Sequence, residues 1–291
     1  EQMCIDVAKS VGYTYKSADE LRLDKSTVIV DHLLLEALIK INGISEAEAQ
    51  VVIEKVKARI AAGMSGEIVT ANQNLQKLFF EQNSFPFGKE GEDTTIRFFD
   101  TNPETAASNN SYIVTNQWEY PKSSYAGGKR LDIVLLINGI PVVIGEAKTP
   151  VNANVSWADG AKDILDYQKS LPEMFVPNIL SFATEGKELY YAGVCAPVSK
   201  WGPWFAKEER NHGLLKDVKE NLSSLIEPLR LLDIYRFFSV YTTDKNSSKK
   251  IKIVCRYQQY FGGMAIVNRV LSRTKTGIGP KKGLIWHFQG S

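Results

Sequence analysis

The chain has 291 residues, 44% of them apolar and 23% charged, which suits a soluble globular protein with one large or two smaller cores. Its formal net charge of +2 excludes a global field that would gather nucleic acid, so any such contact must come from local patches. Cys4, Cys195 and Cys255 match no zinc spacing and fit a reducing cytoplasm, and only three histidines, His32, His212 and His287, leave no His-rich metal site. No run approaches a membrane span and no signal peptide opens the chain, so a cytoplasmic location is expected.

Residues 1–65 read as amphipathic helices. Leu34, Leu35, Leu38, Ile39 and Ile41 share one side over Asp31–Asn42. Ser45 and Glu48 form a capping box that opens a second helix, which Gly63 would end. The Lys55-Lys57-Arg59 alternation reads as a solvated face, with contact to DNA or another subunit as the alternative. A further helix covers 71–83 and stops before the Pro86-Phe87-Gly88 turn. Short strands are expected at Thr94–Phe99, Tyr112–Val114 and Gln117–Tyr120. The loop Pro121–Gly128 carries Lys122, and Lys129 and Arg130 follow. These cations either contact a phosphate backbone or belong to a solvated loop.

Lys129–Pro150 is the most informative stretch. Leu131–Ile137 and Ile140–Ile144 are apolar, β-branched runs around Asn138-Gly139, a hairpin signal, and both read as strands buried on two faces. Yet Asp132 begins the first strand, Glu146 ends the second and Lys148 follows. Charges at such places are paired or bind a metal. Two carboxylates and an ammonium can hold Mg²⁺, activate a water and stabilise charge on a phosphate. A two-residue loop would pair Ile137 with Ile140 and Asp132 with Gly145, which puts Asp132 and Glu146 on opposite faces. Shared chemistry therefore requires an odd offset: a three-residue loop with Gly139 left-handed, or a bulge near Gly145.

Beyond it, a helix over about 158–171 is stopped by Pro172 and carries Asp163 and Tyr167. Two strands flank Glu185-Gly186-Lys187 within 178–192. Trp201-Gly202-Pro203-Trp204-Phe205 either stacks on bases or seals a core edge. Residues 208–219 read as a polar helical connector and Leu225–Val240 as one apolar helix. YTTDKNSSKK at 241–250 reads as a linker, and a short strand and a helix follow. Lys281-Lys282-Gly283 leads to a final apolar strand, Leu284–Phe288.

Leu131-Asp132 followed by Glu146-Ala147-Lys148 resembles the PD-(D/E)xK nuclease signature, with leucine in place of its proline. DIVLLINGIPVVIGEAKTP, followed by YQKSLPEMF, resembles the restriction (R, or HsdR) subunit of type I restriction–modification enzymes, along most of the chain. The resemblance implies an α/β nuclease fold, a mixed β-sheet flanked by helices. It implies a helical N-terminal layer (1–65), a nuclease core (66–220), and a connector with the beginning of a superfamily 2 helicase-like ATPase domain (221–291). It implies Mg²⁺-dependent hydrolysis of double-stranded DNA, with Asp132, Glu146 and the Ala147 carbonyl on the metal and Lys148 positioning or activating the water, or stabilising the developing charge. The family's helix carries Q-I-x-x-Y. Here Tyr167 is kept but Asp163 stands at the glutamine, where it either approaches the metal or only caps and solvates the helix. Arg256-Tyr257-Gln258-Gln259-Tyr260 resembles the motif before the ATPase core, so Gln258 or Gln259 would contact adenine. Gln289-Gly290-Ser291 stops short of the phosphate-loop lysine, which implies an engineered fragment and ATP use in the full-length protein only. Partners implied are DNA and the modification (M) and specificity (S) subunits. The rivals are a non-catalytic DNA-binding or assembly module, and a different ATP-driven helicase with a nuclease-like appendage.

Overall fold

The computed structural model describes residues 1–21, 24–65, 67–120, 128–149, 151, 154–207, 210–245, 247–276 and 282–284. The chain begins with α1 (Gln2–Ser10), a short strand β1 (Thr14–Tyr15), α2 (Ala18–Leu21), α3 (Asp31–Asn42) and α4 (Glu46–Ala61). Gly43, at φ 66, ends α3 by sending its N–H to the Ile39 carbonyl. The Ser45–Glu48 capping box forms as the sequence requires. Gly63 does not end α4 with a left-handed turn. The helix tightens into a 3-10 turn over Ala62–Ser65, and a Cβ on buried Gly63 would lie 2.3 Å from Val176 Cγ2. Its role is close approach.

Next come α5 (Ile68–Phe80), a two-residue ribbon of β2 (Ser84–Phe85) with β3 (Thr94–Thr95), and α6 (Ala106–Asn109). The strand expected over 94–99 is therefore only two residues long, although Ile96, Phe98 and Phe99 are buried. The two pieces expected over 112–120 are one strand, β4 (Tyr112–Tyr120), irregular at Gln117 (φ 51). It is followed by β5 (Lys129–Ile137), β6 (Ile140–Ala147), α7 (Trp157–Ser170), β7 (Leu180–Thr184), β8 (Leu189–Ala192) and β9 (Gly202–Pro203).

Among the described residues, one mixed sheet runs β1-β4-β5-β6-β7-β8-β9. β4, β5 and β6 are antiparallel. β6 and β7 are parallel, joined by a crossover through α7, which packs on both. Strands β5, β6 and β7 are buried almost throughout, as their unbroken apolar runs demand. This is the expected mixed sheet flanked by helices.

The C-terminal part departs from expectation. The stretch 225–240 is not one helix. Pro228 cannot donate, and the Glu227 carboxylate takes the N–H groups of Leu229 and Arg230, so α8 (Leu215–Leu225) and α9 (Pro228–Phe237) are separate. Residues 241–250 are not a free linker. β10 (Ser239–Thr243) pairs antiparallel with β11 (Lys250–Val254), and Tyr241 and Lys252 return to Asn72 and Asn178. Trp201 and Trp204 are buried and donate to the Ala196 carbonyl and Ser224, so they seal a core edge. Helix α10 (Tyr257–Thr276) closes the described fold, and the strand expected at 284–288 lies almost wholly outside the described residues. One apolar cluster extends from Cys4 to Tyr260.

Candidate active site

The hairpin decides which face each charge occupies. Asn138 (φ 53) and Gly139 (φ 76) are both left-handed, and Ile137 pairs with Ile140. The loop thus has two residues, the type I′ geometry that Asn-Gly favours, and not three. The odd offset comes from a bulge. Leu136 pairs with Pro141, but Leu135 pairs with Val143, leaving Val142 extra. Beyond it Ile133 pairs with Gly145, so Asp132 falls opposite Glu146 on the same face. The bulge sits at Pro141-Val142 and not near Gly145. Pro141 has no N–H for the ladder of a central strand, and a bulge is where such a proline is tolerated. The Val142 carbonyl accepts from Ile179 N on the other side. Pro141 was the available sequence signal. Gly145 serves a different end: a Cβ there would lie 2.2 Å from Phe182 Cζ on the paired strand β7.

The side chains then converge. Asp132 Oδ2 accepts the Ala147 N–H at 3.1 Å. Lys148 Nζ donates to Glu146 Oε1 at 2.8 Å and forms a second ion pair with Asp163 Oδ2. Asp163 arrives on α7, which comes close because Gly160 faces the sheet. A Cβ at Gly160 would stand 3.2 Å from both Ala183 Cβ and Glu146 Cγ. Glu146 is only 3% exposed, and its Oε2 has no hydrogen-bond partner.

Electrostatics follow from this burial. Desolvation pushes the Glu146 carboxyl up to about 7, with Asp132 adding to it and Lys148 opposing. Asp132 is also raised, first by burial, against the Ala147 hydrogen bond. Asp132 and Glu146 lie close enough for a mutual side-chain hydrogen bond, which two carboxyls can make only by sharing a proton. When both are ionised, Glu146 Oε2 is left without a partner. Burial disfavours the Lys148 ammonium, but its two carboxylate partners outweigh that and hold its pKa above the ordinary lysine value.

A family model for the type I restriction enzyme R protein N terminus matches residues 1–197. The chain belongs to that family. The R protein region is 27% identical to the type I restriction enzyme HindI endonuclease subunit of Haemophilus influenzae, over all of this chain and 28% of that protein. It is 36% identical to the putative MjaVIIP endonuclease subunit of Methanocaldococcus jannaschii, over 59% of this chain and 16% of that protein. A second M. jannaschii relative, the putative MjaIXP endonuclease subunit, is 25% identical over all of this chain and 30% of its own length. The chain therefore spans less than a third of each of these relatives.

Other residues expected at the site are distributed unevenly across this R protein region. Tyr167 lies one helical turn after Asp163, and its hydroxyl pKa is raised by burial and then by Glu146, Asp163 and Asp132, so it stands in the field of the site. Asp163 neither caps nor merely solvates its helix, because it is bound to Lys148. Lys129 is paired with Asp166 at 2.7 Å and lies 5.8 Å over the Tyr167 ring. Arg130 is exposed opposite Glu119. Lys122 lies outside the described residues. Gln258 and Gln259 are on α10, apart from the hairpin. Gln259 Oε1 accepts from Arg256 N, whereas Gln258 Oε1 is buried without a partner.

For a metal, the donor set is narrow. Among the described residues no group of three or more His, Cys, Asp and Glu side chains is arranged to hold an ion. Asp132 and Glu146 supply the carboxylate oxygens here, and Ala147, whose N–H Asp132 accepts, lies between Glu146 and Lys148. The unpartnered, buried Glu146 Oε2 is an oxygen a hard cation would satisfy, so the residues fit a Mg²⁺-type ion. No helix among the described residues is long and apolar enough to cross a membrane.

Proposed function

We propose that this region is the endonuclease part of a type I restriction enzyme R subunit. It hydrolyses phosphodiesters of double-stranded DNA in a Mg²⁺-dependent reaction at Asp132, Glu146 and Lys148, on a PD-(D/E)xK-type sheet. The observation that carries the reading is the Val142 bulge, which brings buried Glu146 and half-buried Asp132 to one face beside an ammonium. Asp132, Glu146 and the Ala147 carbonyl would hold the ion. When bound, the ion supplies a polarised phosphate oxygen and an acidified water. The chain's own residues do the rest. Glu146 sheds its proton near neutral pH and becomes a full anion. Lys148 stays an ammonium because Glu146 and Asp163 favour its charge, so it stabilises negative charge on the phosphate and does not remove a proton. Tyr167 and Asp163 complete the wall on the α7 side.

In the longer protein, the same reading places the beginning of a superfamily 2 motor within 221–291, with Gln258 or Gln259 taking adenine. Cleavage would follow ATP-driven translocation in a cytoplasmic complex with modification and specificity subunits, the specificity subunit choosing the DNA. The length of the relatives and their naming as endonuclease subunits support this. A structural ion pair is the rival, and the Lys148 pairing favours it. Against it stands Glu146 Oε2, since a carboxylate kept only for pairing has no reason to leave a buried oxygen unsatisfied.

The test uses the full-length R protein in its assembled complex. Asp132→Ala, Glu146→Ala and Lys148→Ala should each abolish DNA cleavage while ATP hydrolysis continues. Cleavage that survives all three changes would leave the rival reading.

A further inference from the structure

Lys148 is held from two sides, by a strand neighbour and by a helix. Residues two apart in an extended chain share a face, and Lys148 continues β6 by one residue with its N–H on the Thr184 carbonyl, so contact between Lys148 and Glu146 comes with the strand end. That contact alone does not choose between the two Glu146 oxygens. A lysine is a compact point charge on a flexible four-carbon stem and reaches either. With both carboxylates ionised, a free ammonium would settle on Oε2, because that atom is then buried and without a partner. In the structure it does not. The ammonium sits on Oε1, toward Asp163.

Exposure gives the direction of this pull. The Glu146 side chain is 4% exposed, Lys148 23% and Asp163 46%. Asp163 thus stands at the outer side of the site and draws the ammonium outward, away from the buried oxygen. Its own position is fixed by α7, which Gly160 seats directly against Glu146.

We propose that Asp163 is a positioning residue that pins the Lys148 ammonium on Glu146 Oε1, leaving Oε2 open to a divalent cation shared with Asp132. The inference rests on the reading of Asp132 and Glu146 as cation ligands. Without Asp163, the ammonium competes with the cation for the buried oxygen. With it, two like-charged occupants are kept on different oxygens of one carboxylate. Charge balance points the same way: three carboxylates and one ammonium leave the ionised site at −2, which one divalent cation neutralises.

Mn²⁺ binding to the present chain at pH 8, followed by the loss of its free-ion paramagnetic resonance signal, tests both layers. The wild type should bind one Mn²⁺ more tightly than Asp132→Asn or Glu146→Gln. If it does not, the cation site itself is wrong and this inference falls with it. Given that binding, Asp163→Asn should weaken it about tenfold, a coupling typical of contacting residues. Asp163→Glu should restore most of the loss. Asp166→Asn, an exposed carboxylate on the same helix, should leave the affinity unchanged. In a Lys148→Met background, Asp163→Asn should cost less than about twofold, because there is no ammonium left to pin. An unchanged affinity in Asp163→Asn would overturn the proposal. So would an equal loss with and without Lys148, which would make Asp163 a plain charge or a ligand.

Discussion

Replacing Glu146 with glutamine should make the protein more stable, and only above about pH 5. Glutamine has the shape of the protonated carboxyl and never ionises. In the folded chain the Glu146 carboxyl is raised from 4.5 to about 7, chiefly by desolvation and net of the help from Lys148. That displacement corresponds to about 3 kcal/mol, at ~1.4 kcal/mol per pH unit. The sign follows from linkage. A carboxyl whose folded pKa lies above its unfolded value contributes stability that is fully present below about 4.5 and is lost as pH rises through about 7. Wild type and Glu146→Gln should therefore unfold alike in urea at pH 4.5. By pH 8 the variant should be ahead by up to about 3 kcal/mol. Adding Mg²⁺ at pH 8 should stabilise the wild type and not the variant, narrowing the gap. Asp132 is also raised but is present in both proteins and cancels to first order. A variant destabilised by the same amount at every pH would refute this, since that pattern marks a lost structural contact and not a relieved burial cost.

Gly145→Ala should destabilise the fold by about 1–3 kcal/mol, because the new Cβ meets the buried ring of Phe182, and Phe182→Leu should recover part of the loss in thermal melts. Lys252, wholly buried and donating to the Asn178 carbonyl, has its pKa pushed down by burial from 10.5 to about 7. A lysine depressed in this way disfavours the folded state at low pH, and the penalty fades as pH rises from 7 toward 10.5. The stability advantage of Lys252→Met over wild type should thus shrink by at most about 4 kcal/mol between about pH 6 and pH 10. An advantage independent of pH in urea titrations would mean that Lys252 carries the same charge folded and unfolded and that burial does not depress it.

Much of the fold can be read from local chemistry. The Asn138-Gly139 turn, the Ser45 capping box and the Pro172 stop are short-range devices whose cause lies within four residues, and each forms as the sequence dictates. The buried character of β5 and β6 was equally plain, because unbroken apolar runs have only one environment. The failures have nonlocal causes. The break before Pro228 depends on the Glu227 carboxylate turning back to the helix start. The hairpin of β10 and β11 hides in a polar stretch because its buried face is made of Tyr241 and Lys252, held by Asn72 and Asn178. By sequence, Gly145 and Gly63 are expected to serve as conformational glycines. Both are instead clearances, for Phe182 and Val176, which no sequence window contains.

The candidate site divides along the same line. Its three charges could be named from the sequence, and the need for an odd offset could be deduced, but the location of that offset required Pro141 to be read as a ladder defect. Nothing local showed that α7 would deliver Asp163 to Lys148, because that depends on Gly160 meeting Ala183 and Glu146 across the crossover. The crossover is also what makes the site chemically unusual. It buries Glu146 under a helix, and burial is the first cause of its raised pKa. A flatter packing of α7 would leave Glu146 solvated, ordinary in acidity and free to pair with water. Its second oxygen would then be satisfied by solvent. The close approach at Gly160 therefore links packing to chemistry: the same contact that completes the core on β6 creates the unsatisfied oxygen beside Asp132.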